Sequence, residues 1–378
     1  MIKTISIAFF LFLFSSCSSL LHDLYKVQSD KRLAKMEERN FIGEKALTQW
    51  WYFDFFLEDG SVMVVLFAPY YWWGDYEVQS DHKSLVYVSY MKPGGEVITS
   101  KEIFDSEEVK FDRNSLRSPC LEIIKSHKKN RREYTLNFSM DKIKGSTKVS
   151  SDSKAFSPLP SGSLGSFGTK YILKQEGNVA YRYAAHVPKG QVSCHLELDN
   201  DSLNLSGQVY HEQGWFTGQA HQMGEGWEWF HFASKNVNLF GAKTFFYLEL
   251  NGEILIGGLN NGDKRCRLSD KITAKNTSDF ILKGSLNFTS PKLSFEVVPT
   301  DSMSVPLVYI PGVDTDQLWG NVMQSSKVRI TYKGVELSEK GKLLIETCRM
   351  SKINATKITD PENVMINLEK NVKYEEAK

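Results

Sequence analysis

The sequence predicts an all-β protein built as an antiparallel sandwich or as barrels. Strand-like runs separated by turn residues recur at a spacing of roughly ten residues. Helical periodicity is weak except near the termini. Aromatic residues make up 12% of the 378 residues and include 8 Trp, and they cluster in extended segments that favour strands over surface helices. A body of about 340 residues is more than one ordinary core holds, so two domains are expected.

The chain opens with Lys3, a short apolar run Ile5–Phe14, and Ser15-Ser16 before Cys17. The run is too short for a resident membrane helix. Small residues ending at a cysteine look like a bacterial lipoprotein signal over residues 1–17, with Cys17 becoming the acylated N-terminus. That implies export to the cell envelope and membrane attachment through the lipid. The absence of Asp at position 18 points to the outer membrane. Residues 18–40 are rich in charge and read as a tether.

Strands follow almost without break. Gln49–Leu57 is too aromatic for a surface helix, and Glu58-Asp59-Gly60-Ser61 carries a hairpin signal to Val62–Phe67. Pro69–Gly74 reads as an aromatic loop. Leu85–Met91 is closed by Pro93-Gly94-Gly95, and Glu96–Phe104, Leu121–Ser126 and Tyr134–Met140 come next. Arg131-Arg132 reads as a solvated basic turn, and Ser150–Ser166 as a Ser/Pro/Gly-rich loop. Further strands are expected at Tyr171–Leu173, Ala180–His186, Gln191–Leu198, Thr244–Leu250, Glu253–Leu259, Phe280–Phe288, Lys292–Val298, Lys327–Tyr332 and Lys342–Cys348. A faint echo links Trp51-Tyr52-Phe53-Asp54 before Asp59-Gly60 with Phe246-Tyr247-Leu248-Glu249 before Asn251-Gly252.

The stretch Tyr210–Trp229 organises the rest. Its two halves, Tyr210–Phe216 and Trp227–Phe232, mix large aromatics with proton-exchanging groups. On a strand, Trp227, Trp229 and His231 share one face and Glu228, Phe230 and Phe232 the other. Neither face is simply oily or wet, which suits an aromatic cavity wall and equally an aromatic core. Tyr247 and Glu249 stand at i and i+2. A carboxyl among aromatics is held protonated by desolvation, ready to act as a general acid. Glu212 is a second such acid, or a surface acid paired with a lysine.

Net charge is +1 from 46 basic and 45 acidic residues, which argues against a nucleic-acid binder. Cys120, Cys194, Cys266 and Cys348 lack metal or redox spacing and can form two disulfides or stay as thiols. His211, His221 and His231 lack a metal-ligand spacing, and nucleotide-binding glycine loops and serine elbows are absent, so neither metal nor cofactor is expected.

Ordered motifs over residues 41–350 carry a resemblance. They are Gln49–Asp54 with Asp59-Gly60, Tyr181-Arg182-Tyr183, Gly207–Trp215, Trp227–Phe230, Tyr247-Leu248-Glu249 before Asn251-Gly252, and Gly341–Glu346. In these the chain resembles the AttH-like, carotenoid 1,2-hydratase (hydroxyneurosporene synthase) superfamily, with lipocalin-like Diels–Alderases and tocopherol cyclases as relatives. The resemblance implies two tandem lipocalin-like antiparallel β-barrel domains, residues 41–192 and 193–378, with a site within or between them. In the hydratases an acid, a tyrosine, a tryptophan and a histidine protonate a terminal isoprenoid double bond and direct water to the cation. Carried over, Tyr247 and Trp215 match, Glu249 replaces Asp, and Gln213 holds the histidine's place with His211 two residues upstream. Trp51, Tyr52, Tyr210, Gln213, Trp227, Trp229 and His231 would line the ligand cavity. The expected function is binding of a hydrophobic isoprenoid- or lipid-like molecule, with cofactor-free hydration or cyclisation if catalytic. The alternative is a non-catalytic lipid carrier or structural envelope lipoprotein of the same fold.

Overall fold

A computed structural model describes residues 48–71, 83–128, 131–153, 155, 181–198, 201–216, 226–235, 238–245, 254–260, 267–268, 273–274, 286–289, 293–299, 304–311, 317–332 and 335–349. Signal, tether, Tyr247, Glu249 and Cys266 lie outside them. The described chain is nearly all strand, as the aromatic and turn patterning predicts.

The first sheet is formed by β1 (Thr48–Leu57), β2 (Val62–Tyr71), β3 (Lys83–Met91), β4 (Val97–Asp105), β5 (Lys110–Phe111), β6 (Ser115–Arg117), β7 (Leu121–Lys128), β8 (Arg131–Ser139), β9 (Ile143–Ser151), β10 (Tyr181–Leu198) and β11 (Asp201–Phe216). These are antiparallel in the order β4-β3-β2-β1-β11-β10-β9-β8-β7-β6-β5. The sheet curls into a half-barrel. Phe53 on β1 meets Tyr134 on β8 at 5.9 Å between ring centres. Trp51 reaches Phe111 on the far-edge strand β5 at 6.1 Å. One face of each strand therefore shares a single core, with Trp51, Phe53, Phe55 and Leu57 from β1 and Val209 from β11. The β1–β2 turn is tied by Asp59, whose Oδ1 accepts from the Ser61 amide at 2.9 Å. Gly60 there takes φ +102°, a conformation glycine supplies without steric strain.

The second sheet comprises β12 (Gly226–Ala233), β13 (Asn238–Phe245), β14 (Ile254–Asn260), β15 (Arg267–Leu268), β16 (Thr273–Ala274), β17 (Leu286–Thr289), β18 (Leu293–Pro299), β19 (Ser304–Pro311), β20 (Gln317–Tyr332) and β21 (Val335–Arg349). Its order is β15-β14-β13-β12-β21-β20-β18-β17-β16, with β19 on β20. Both sheets follow one scheme: the first strand pairs with the second on one side and with the last on the other. Sheet membership changes between Phe216 and Gly226, whereas residues 192 and 193 both lie within β10.

The register makes the repeat explicit. Tyr52 pairs with Glu212, Asp54 with Tyr210 and Phe56 with Gln208 on β1 and β11. Trp229 pairs with Glu346, His231 with Leu344 and Ala233 with Lys342 on β12 and β21. Thus β1 corresponds to β12, and the segment from Gly207 to Glu212 to that from Gly341 to Glu346. The echo read at 246–249 is out of step with this scheme, since the strand equivalent to β1 is Gly226–Ala233.

Three other local readings change. Arg131-Arg132 opens β8, and Arg132 is buried with Nη1 donating to the Ser153 carbonyl at 3.3 Å, so this is not a solvated turn. Ala180–His186 and Gln191–Leu198 become parts of one long strand, β10. Its register shifts between Ala185 and Gly190 mark bulges, which absorb Pro188 without a broken ladder. Strand β9 was hidden because its inward positions include Gly145, Thr147 and Ser151, leaving little apolar alternation. Cys120 and Cys194 are free thiols in the core, and burial pushes both up to about 11.

Candidate functional site

Alternation along β1 sends Tyr52, Asp54 and Phe56 away from the first core, and alternation along β11 does the same for Gln208, Tyr210 and Glu212. This outer face meets Trp229 and His231 of β12 and Glu346 of β21. The result is a buried aromatic seam between the sheets. Tyr52 packs edge-on against Trp229 at 5.2 Å. Tyr210 lies 4.8 Å from His231 and 4.9 Å from Phe240.

Three carboxyls sit in the seam. Glu212 accepts from Tyr210 Oη at 2.7 Å, Trp229 Nε1 at 3.1 Å and Trp50 Nε1 at 3.1 Å. The Trp50 ring reaches Glu212 across Gly214; a Cβ there would come within 2.1 Å of that ring. Asp54 Oδ1 accepts from His231 Nδ1 at 2.7 Å, and His231 Nε2 stands 3.0 Å from Asn238 Oδ1. Burial raises the Asp54 carboxyl above its ordinary value, with His231 pulling it back. The third carboxyl, Glu346, lies near the Tyr52 hydroxyl, which makes no fully formed hydrogen bond. Burial pushes Glu346 up to about 8, the Tyr52 hydroxyl opposing the rise and Glu212 and Asp54 adding to it. Burial, and then the same carboxyls, raise the Tyr52 phenol well above its usual range. A protonated acid, a phenol and aromatic ring faces therefore stand together at neutral pH.

The halves meet in related pairs. Trp229 donates to Glu212, while Tyr52, its counterpart, stands by Glu346, the counterpart of Glu212. Gln208 Nε2 donates to the Ser234 carbonyl at 3.1 Å, and Lys342 Nζ donates to the Leu57 carbonyl at 3.0 Å. Asp54 and His231 hold equivalent positions and bond to each other. The seam follows a local two-fold relation.

Of the residues expected from sequence, Tyr52, Tyr210, Glu212, Trp229 and His231 converge here. Trp51, His211 and Gln213 point the opposite way, into the first core. There His211 stacks on Phe53 at 3.8 Å and its Nδ1 lies 2.9 Å from the Tyr52 carbonyl. Trp215 and Trp227 lie on β11 and β12. Asp54, Glu346, Asn238 and Trp50 belong to the seam and were missed as site residues. The legible signal was an acid within an aromatic strand (Asp54) and an acid closing an apolar one (Glu346). Among the described residues no group of three or more His, Cys, Asp or Glu side chains could hold a metal ion.

No family model matches the chain, and no curated protein matches it significantly. Solved structures do match. A protein provisionally named AttH from Nitrosomonas europaea aligns at TM-score 0.53 and 12% identity, over 79% of this chain and 92% of that one. CghA solved with Sch210972 aligns at TM-score 0.56 and 12% identity, over 81% of this chain and 89% of its own. A second CghA structure aligns at TM-score 0.52 and 11% identity, over 81% and 89%. The chain therefore has an AttH-like, lipocalin-like fold.

Proposed function

We propose that the chain takes a hydrophobic, isoprenoid- or lipid-like molecule at the aromatic seam between two tandem lipocalin-like barrel domains, and protonates it without a cofactor. The observation that carries this is Glu346, buried beside Tyr52 and Trp229 and pushed up to about 8. Such a carboxyl keeps its proton at neutral pH. Donated to one carbon of an alkene, that proton leaves a carbocation on the other, which Tyr52 and Trp229 stabilise through their ring faces. Water then adds to the cation and returns a proton to the carboxylate, giving hydration; attack by a second double bond gives cyclisation instead. A neighbour of the same fold solved with a bound small molecule supports a ligand-binding role. Glu249 and Tyr247, which the resemblance assigns, are the rival acid and phenol.

The test is Glu346→Gln, assayed for turnover and binding over an isoprenoid panel. Turnover should fall by about two to four orders of magnitude, the usual share of general acid catalysis, with binding unchanged. Retained turnover removes Glu346 and makes Glu249→Gln the next variant. Binding without turnover in the parent protein marks a carrier.

Envelope anchoring through Cys17 is part of the proposal. Cys17→Ser should move the protein from membranes to the soluble fraction, and retention in membranes counts against the anchor.

A further inference from the structure

The inner face of the first sheet holds polar side chains that the seam does not use. At the end where β1 and β8 begin and β11 ends, Gln49, Gln213, Lys125, Arg132, His186 and His211 all turn inward and are at most 5% exposed. They are contiguous. Lys125 pairs across the ladder with Tyr134, and Arg132 is two residues before Tyr134 on the same face. Tyr134 packs on His211 at 4.9 Å, and His211 lies 5.7 Å from His186, which the β10 bulge brings in. Gln213 follows two residues after His211 and pairs with Trp51, with Gln49 two residues before Trp51. Both oxygens and both nitrogens of the Gln49 and Gln213 amides are buried without a hydrogen-bond partner. Buried amides left in this state are costly and uncommon, so two side by side point to a bound molecule.

The chemistry of the lining selects its class. Arg132 is permanently cationic, Lys125 supplies an ammonium, and the two amides supply N–H donors. No inward position on the described parts of β1, β7, β8 or β11 carries Asp or Glu. Trp51, Phe53 and Tyr134 adjoin the polar group and provide apolar wall. Cations and N–H donors converging beside aromatics suit a carboxylate carried on an apolar body. We propose that this inner end of the first sheet is a second ligand site, distinct from the seam, that takes the carboxylate head of a fatty-acid-like amphiphile.

The full chain is titrated calorimetrically with oleate and with methyl oleate, which keeps the tail and loses the charge. Oleate should bind at least tenfold more tightly than its ester. Gln213→Leu and Gln49→Leu, each near-isosteric and removing only unpartnered amide atoms, should each weaken oleate at least tenfold while melting at or above the parent temperature. Glu346→Gln should leave oleate affinity within twofold, which separates this site from the seam. Absence of oleate binding by the parent protein, equal binding of the ester, or unchanged affinity in both amide variants overturns the proposal.

Discussion

Glu212 and Glu346 occupy equivalent register positions in unlike surroundings. Three donors converge on Glu212, whereas Glu346 lies by the Tyr52 hydroxyl under the influence of two other carboxyls. The difference has a measurable pH signature. Glu346 starts from 4.5 and rises to about 8 in the fold. Between those values the folded state keeps a proton that the unfolded chain has released. The stability present below about 4.5 therefore declines as pH rises toward about 8. Glu346→Gln should flatten that decline and leave the variant more stable than the parent at pH 8 by up to a few kcal/mol, at about 1.4 kcal/mol per pH unit crossed. Urea melts at pH 5 and pH 8 check both sign and size. At this scale Tyr52, Tyr210, Glu212, Trp229 and His231 were legible, because an acid or imidazole among aromatics on an alternating strand stands out. Asp54 and Glu346 passed as motif residues, since their importance depends on a partner sheet that local periodicity does not register.

At the scale of elements, the strands with strong apolar alternation and a turn residue after them, such as β1, β2 and β3, were readable from sequence. β9 was not, because its inward side chains are small and polar. β10 was divided at Pro188-Lys189-Gly190, where tertiary pairing turns a break signal into a bulge. The seam strands also repeat each other's work. Gln208 on β11 and Lys342 on β21 bond to carbonyls of the opposite sheet, but Lys342 does so as a desolvated amine lowered to about 8. Lys342→Gln should copy the arrangement of Gln208 and keep stability within about 1 kcal/mol of the parent or raise it. Lys342→Ala, which abandons the carbonyls of Leu57 and Ser61, should cost about 1–3 kcal/mol. Thermal melts of both variants decide.

Across the whole molecule, the two sheets are joined by buried polar contacts as well as by aromatic packing. The bond from His231 to Asp54 is the most deeply buried of these, with side chains 1% and 0% exposed. Removing one partner strands the other in an apolar seam, so Asp54→Leu should cost about 3–5 kcal/mol. The double variant Asp54→Leu/His231→Leu should recover most of that loss. Scanning calorimetry should show one transition for the parent and a second, lower one for Asp54→Leu as the sheets uncouple. A double variant as unstable as the single one would show that shape, not charge pairing, joins the halves. All-β architecture on this scale was legible from composition and turn spacing. The repeat was not, because Gly207–Glu212 and Gly341–Glu346 share only their first and last residues, and it emerges from strand order and register.

The local two-fold relation has a consequence for what such a seam can evolve into. In a homodimer closed by a two-fold axis, every residue appears twice, so both copies of the glutamate would be caged by donors or neither would. Carrying both halves on one chain removes that identity constraint. One glutamate can be fixed as a structural acceptor while its counterpart sheds its donors and becomes a proton reservoir. Tyr52 and Trp229, Asp54 and His231, and Gln208 and Lys342 have diverged in the same way, pair by pair. Covalent tandem linkage thus lets a symmetric scaffold hold an asymmetric, directional set of groups.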